Sequence, residues 1–204
     1  MKKLIALFFL LTLLLPGAAL AEFDVDGLYE REPNVIEMMT DSWDTVYSLS
    51  NPLYMGEIDN GMMIVSLDYV SKPQLQATLI RVDVVLMLEE PLNADTVVFT
   101  VGGKRYAFTL EADTYEYDGT YQEEFAICLT DASLPFLKAV AQQKKDDPIP
   151  VAFLSMGEVV LEGSVVLPGS DAAHIYDLYI DLGGKTQDLK SLDEEWPCEI
   201  TKAK

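Results

Sequence analysis

The sequence predicts a mainly β (α+β) protein, a single antiparallel β-sandwich-like domain with two helices in its C-terminal half. Three observations carry this. Runs that alternate apolar and polar residues recur between residues 62 and 166, and glycine-bearing dipeptides separate several of them. Only two stretches, both after residue 130, switch to helical spacing. Strands do not alternate strictly with helices, which argues against a parallel sheet.

The first 21 residues stand apart. Lys2 and Lys3 precede an apolar run over residues 4–15 whose one hydroxyl is Thr12. Pro16-Gly17 breaks the run, and Ala19-Leu20-Ala21 supplies a small-x-small cleavage pattern. A membrane-spanning helix needs about 20 apolar residues. Residues 1–21 therefore read as a cleaved bacterial secretory signal, with the exported chain starting at Glu22 and acting in the periplasm or outside the cell. No later apolar run is long enough to span a bilayer, and no cysteine stands in the signal region for lipid attachment. The processed chain is expected to be released, without stable membrane insertion.

Residues 22–61 mix acids, prolines and apolar residues without sustained periodicity; residues 34–50 hold either a short helix or a strand ending near Asn51-Pro52. In residues 62–70 the odd positions Met63, Val65, Leu67 and Tyr69 are apolar, the mark of a half-buried strand. Residues 76–90 place Thr78, Ile80, Val82, Val84, Leu86 and Leu88 on one face, with Arg81 and Asp83 on the other as an expected exposed pair. Gly102-Gly103 joins residues 97–101 to 104–110 as a type I′ hairpin, in a register that pairs Phe99 with Tyr106 and Val97 with Phe108. Residues 121–130 form a further strand, with Phe125, Ile127 and Leu129 inward and Cys128 outward.

A helix follows, with Asp131 or Ser133 as cap, Pro135 in its first turn and a stripe of Leu134, Leu137, Val140 and Ala141. Lys144-Lys145 suit its C-terminus. Residues 151–155 and 158–166 make a second hairpin around Met156-Gly157. The second helix is capped by Ser170 or Asp171, buries Ile175, Leu178, Tyr179 and Leu182, and ends at Gly183-Gly184. No repeat or linker divides the chain. The organisation is a signal (1–21), an N-terminal segment (22–61), a β-rich core with two helices (62–187) and a polar tail (188–204).

Charge narrows the function. The signal holds two of the 14 basic residues and no acid, so the remaining 183 residues carry 34 acids against 12 bases, a formal charge of −22. Such a surface repels nucleic acid and anionic lipid, because both need Lys or Arg to neutralise phosphate. Bound cations would relieve the self-repulsion, and calcium is the extracytoplasmic candidate. Asp24, Asp26 and Glu30 around Gly27 copy the first half of a calcium loop, but the twelfth position from Glu22 is Pro33 where a bidentate glutamate belongs. No other cofactor is expected. Cys128 and Cys198 are the only cysteines. They are a disulfide candidate in an oxidising compartment, and sequence leaves open whether the two sulfurs meet.

His174 is the single histidine, which excludes zinc sites built from several His or Cys ligands. It shares a helix face with Asp177 and Asp181, read as solvated. No Gly-x-Ser-x-Gly elbow or phosphate-binding loop occurs. Glu111, Asp113, Glu116, Asp118, Glu123 and Glu124 crowd what reads as a turn, together with Tyr115, Tyr117 and Tyr121. The tyrosines make a candidate ligand-binding surface for sugar rings or a protein. The leading expectation is a non-catalytic binding or accessory module for a cell-envelope protein or glycan. The alternative is a glycosidase-like, carboxylate-dependent hydrolase using residues 111–124. A third reading is a passive accessory protein kept soluble by its acids.

Overall fold

The computed structural model describes residues 25–32, 36–39, 45–50, 53–72, 77–110, 113–129, 134–143, 147–181 and 199–200. In chain order the elements are α1 (Val25–Arg31), β1 (Ile36–Met39), β2 (Thr45–Ser50), β3 (Tyr54–Ile58), β4 (Gly61–Lys72), β5 (Ala77–Leu88), β6 (Thr96–Val101), β7 (Lys104–Thr109), β8 (Asp113–Tyr117), β9 (Thr120–Leu129), α2 (Leu134–Ala141), β10 (Ile149–Ser155), β11 (Glu158–Val165), α3 (Gly169–Asp181) and β12 (Glu199–Ile200).

The mainly β, antiparallel expectation holds, but the strands form one continuous curled sheet, a half-barrel, in place of two stacked sheets. Its order is β12-β9-β5-β4-β3-β11-β10-β6-β7. β2 shares an edge of β4 with β3 and pairs with β1 beyond it; β8 shares an edge of β9 with β12. The curl is visible in one contact: the rings of Phe125 on β9 and Phe153 on β10 lie 6.0 Å apart, although four strands separate them along the sheet. Strand twist and the bulge between Phe153 and Leu154 bend the sheet far enough for that.

The alternation read from the sequence decides which face is inside. Met63, Val65, Leu67 and Tyr69 of β4 and Ile80, Val82, Val84 and Leu86 of β5 are all fully buried. They meet in an unbroken register from Gly61 opposite Leu88 to Lys72 opposite Ala77. The Gly102-Gly103 hairpin has the expected pairs, Phe99 with Tyr106 and Val97 with Phe108, and both glycines take the positive φ of a type I′ turn. The second hairpin turns at Met156-Gly157 as read. At the β11–β3 joint, a side chain on Gly163 would strike the backbone of Glu57, so glycine permits that close pairing.

The helices close the concave side. Phe136 of α2 touches the rings of Phe99, Tyr106 and Phe108. α3 buries Ile175, Leu178 and Tyr179 against β4 and β5, and α2 packs on α3. Its first turn begins one residue before Ser170, with Pro168 accepting from the Asp171 and Ala172 amides, so the chain enters the helix at Pro168. Asp131, Ser133, Lys144, Lys145, Leu182, Gly183 and Gly184 lie outside the described residues.

The described strands within residues 22–61 belong to the same sheet. β2 and β3 both pair with β4, and Leu28 of α1 is fully buried. The polar tail contributes the two-residue β12, the parallel neighbour of β9.

Candidate functional site

The core and the helices fill the concave side, and the outer face carries the exposed side chains of the strands. Directly opposed residues share a face in an antiparallel sheet, which lets the pairing define rows. One row runs Met62 (β4), Met87 (β5), Gln122 (β9), Tyr115 (β8). The next runs Met55 (β3), Ile64, Val85, Glu124, Asp113. Together they make a band about 19 Å across from strand spacing, apolar over β3, β4 and β5 and crossed on β9 by Gln122 and Glu124 before Tyr115. Met55 is 57% exposed, Met62 41% and Tyr115 54%. Tyr117, on the same face two residues along, is 84% exposed. Glu57, Asp113 and Glu124 give the band an acidic rim.

Beyond Val85 the same face turns polar. Ser66 opposes Asp83 and Asp68 opposes Arg81, which in turn opposes Cys128. Arg81 donates through Nε (2.8 Å) and Nη2 (2.7 Å) to Oδ2 of Asp83, and Nη2 lies 3.7 Å from Oδ2 of Asp68. Ser66 donates to Asp68 Oδ2 (3.4 Å), while Asp68 Oδ1 is buried without a hydrogen bond. Burial pushes the Asp83 carboxyl up; Arg81 opposes that, and Asp68 adds to the rise, leaving it at about 7. The expected ordinary exposed pair is therefore a part-buried cluster of three charges. The second acid, Asp68, comes from β4, and strand pairing alone brings it there.

The tyrosines divide. Tyr115 and Tyr117 stand on the outer face, but Tyr121 opposes Glu116 and Leu88 on the inner side and is half-buried. The segment read as a turn is a hairpin, β8 and the start of β9, joined at Asp118-Gly119 with both residues at positive φ. Asp-Gly between Thr-Tyr-Glu-Tyr and Thr-Tyr-Gln was the signal for it. Its acids scatter. Asp113 and Glu124 face outward, Glu116 projects from the other face, and Glu123 is buried with Oε1 accepting from the Leu92 amide at 2.6 Å. Glu111 lies outside the described residues.

Asp26 and Glu30 sit exposed on helix α1, not in a loop, and Asp24 lies outside the described residues. Among the described residues no group of three His, Cys, Asp or Glu is placed to hold a metal. Cys128 is fully buried, with Ile200 of β12 opposite it. Cys198 lies outside the described residues, among which no cysteine is free. His174 pairs with Glu32 at 2.7 Å, tying α3 to the residue that follows α1. Tyr54 donates to Asp171 at 2.7 Å; burial first, and that carboxylate second, raise its phenol above the usual range.

Open depressions lie at the surface of the described residues. One of about 360 Å³ lies beside Gly102, Gly103 and Pro148, and one of about 510 Å³ beside Glu57, Asp59 and Glu162. The acids of residues 113–124 line neither. No helix among the described residues is long and apolar enough to cross a membrane. The chain matches no protein-family model, no curated protein and no solved structure.

Proposed function

We propose that the chain is exported by residues 1–21 and works in the periplasm or outside the cell as a non-catalytic binding or accessory module. The band of Met55, Met62, Met87, Tyr115 and Tyr117 on the outer face would dock a cell-envelope protein. That exposed band is the observation supporting the reading. Methionine side chains are flexible and polarizable, suited to an adaptable contact, and tyrosine is enriched where proteins meet. Thioethers offer little to sugar hydroxyls, which favours a protein over a glycan. Cys128 and Cys198 pair in this reading and pin the C-terminal strand to β9, supported by the pairing of Ile200 with Cys128. A hydrolase draws less support, because it needs two acids facing across a cleft and the described acids of 113–124 spread over both faces of a hairpin.

The test is affinity capture from the native envelope with the exported chain as bait, beside a Met55→Glu/Met62→Glu variant. Saturable binding that the variant loses, at unchanged melting temperature, is expected. Equal binding by both, or cleavage of a glycan by the purified chain, would overturn the proposal.

A further inference from the structure

Among the described residues, two outer strand edges of this sheet carry opposite charge. β7 pairs only with β6 among the described strands and exposes Lys104 and Arg105; β8 pairs only with β9 and exposes Asp113 and Glu116 beside Asp118. Edge strands are commonly blunted by proline, lysine or a bulge. β8 carries charge but no proline, lysine or bulge: its five pairs with β9 run in unbroken register, and every residue in it is exposed.

The turns dictate which backbone groups are available. In a hairpin with a two-residue turn, the residues flanking the turn form a hydrogen-bonded pair, and bonding alternates from there. In β8, Tyr117 opposes Thr120 across the turn, so Tyr117, Tyr115 and Asp113 bond to β9. Thr114 and Glu116 then direct N–H and C=O to the open edge. In β7, Lys104 opposes Val101 across the turn, so Arg105, Ala107 and Thr109 direct theirs outward.

We propose that the β7 edge of one copy pairs antiparallel with the β8 edge of a second copy, setting Arg105 opposite Glu116 and Ala107 opposite Thr114. The same register sets Lys104 opposite Tyr117, a cation–π pair, and Tyr106 opposite Tyr115. Slipping it by two residues in either direction separates Arg105 from Glu116. The side chains of Arg105 and Glu116 lie on opposite faces of their own sheets, so the inner face of one copy continues into the outer face of the next. Pairing β8 with β8 would set acids against acids, and β7 with β7 bases against bases. The exported chain's formal charge of −22 opposes close approach elsewhere. Such a contact is head-to-tail, and it builds rings or open chains. It shares Tyr115 and Tyr117 with the docking band but needs neither Met55 nor Met62.

The experiment is sedimentation velocity on the exported chain, from micromolar to millimolar concentration, with Arg105→Glu, Glu116→Lys and their equimolar mixture. The parent is expected to reach at least twice the monomer mass, and each variant alone to stay monomeric. The mixture should associate again, because each variant retains the edge that complements the other. Far-UV circular dichroism confirms that these exposed substitutions leave the fold intact. A monomeric parent at millimolar concentration, variants that associate like the parent, or a mixture that stays monomeric would each overturn the proposal. Loss of the envelope partner in Met55→Glu/Met62→Glu, with self-association unchanged, separates this contact from the docking band.

Discussion

Replacing Asp83 by asparagine probes the cluster of three charges on the outer face. In the folded chain the Asp83 carboxyl has a pKa of about 7, against an ordinary 3.8. The folded state thus holds this proton more tightly than the unfolded chain does. Stability from this source is full below the ordinary value and is lost as pH rises through about 7. At about 1.36 kcal/mol per pKa unit, the whole shift corresponds to about 4 kcal/mol, of which about 2–3 kcal/mol falls between about pH 5 and pH 8.5. Asparagine has nearly the shape of the protonated acid; it accepts from Arg81 and donates toward Asp68 without adding a second negative charge. Urea unfolding followed by far-UV circular dichroism, at both pH values, gives the difference between variant and parent. That difference should move in favour of Asp83→Asn by about 2–3 kcal/mol on going to the higher pH. Comparison with the parent cancels the titration of the many surface acids. Parallel curves, agreeing to within about 0.5 kcal/mol at both pH values, would refute the burial argument.

Phe136→Ala removes a ring fully buried among Phe99, Tyr106 and Phe108, and should destabilise by about 3–5 kcal/mol in the same urea assay. Tyr54→Phe deletes the bond to Asp171 and should lower stability by about 1 kcal/mol. In an alkaline absorbance titration, the parent should show one more tyrosine ionising above the usual range than this variant does. Gly103→Val forces a β-branched residue to φ 80°, so thermal unfolding should show a loss of about 1–2 kcal/mol.

Legibility in the sequence followed the range of the interactions involved. The inward sets of β4, β5 and β9 and the two glycine-bearing hairpins were readable because a strand's period of two and a turn's positive φ are local properties. β8 escaped because its acids suggested a loop, although Asp118-Gly119 marked a turn of the same type. The stretch that holds β2 and β3 showed no sustained alternation; the place of these two strands comes from pairing with β4, whose long edge holds both. Of the candidate site, Tyr115 and Tyr117 were visible as an extended pair. Tyr121 parts from them because the turn lies between, and pairing puts it on the other face.

By itself, the sequence determined which side of each principal strand is apolar, where the Gly102-Gly103 and Met156-Gly157 hairpins and the two later helices fall, and a strongly acidic composition. Tertiary structure alone decided that the strands close into one curled sheet, since that depends on strand order and bend. It also decided that Met55, Met62, Met87 and Tyr115 form one band. The same holds for Asp68, which joins Arg81 and Asp83, and for His174, which meets Glu32. These neighbours lie far apart in sequence or on different strands, and no local periodicity encodes which strand will lie beside which.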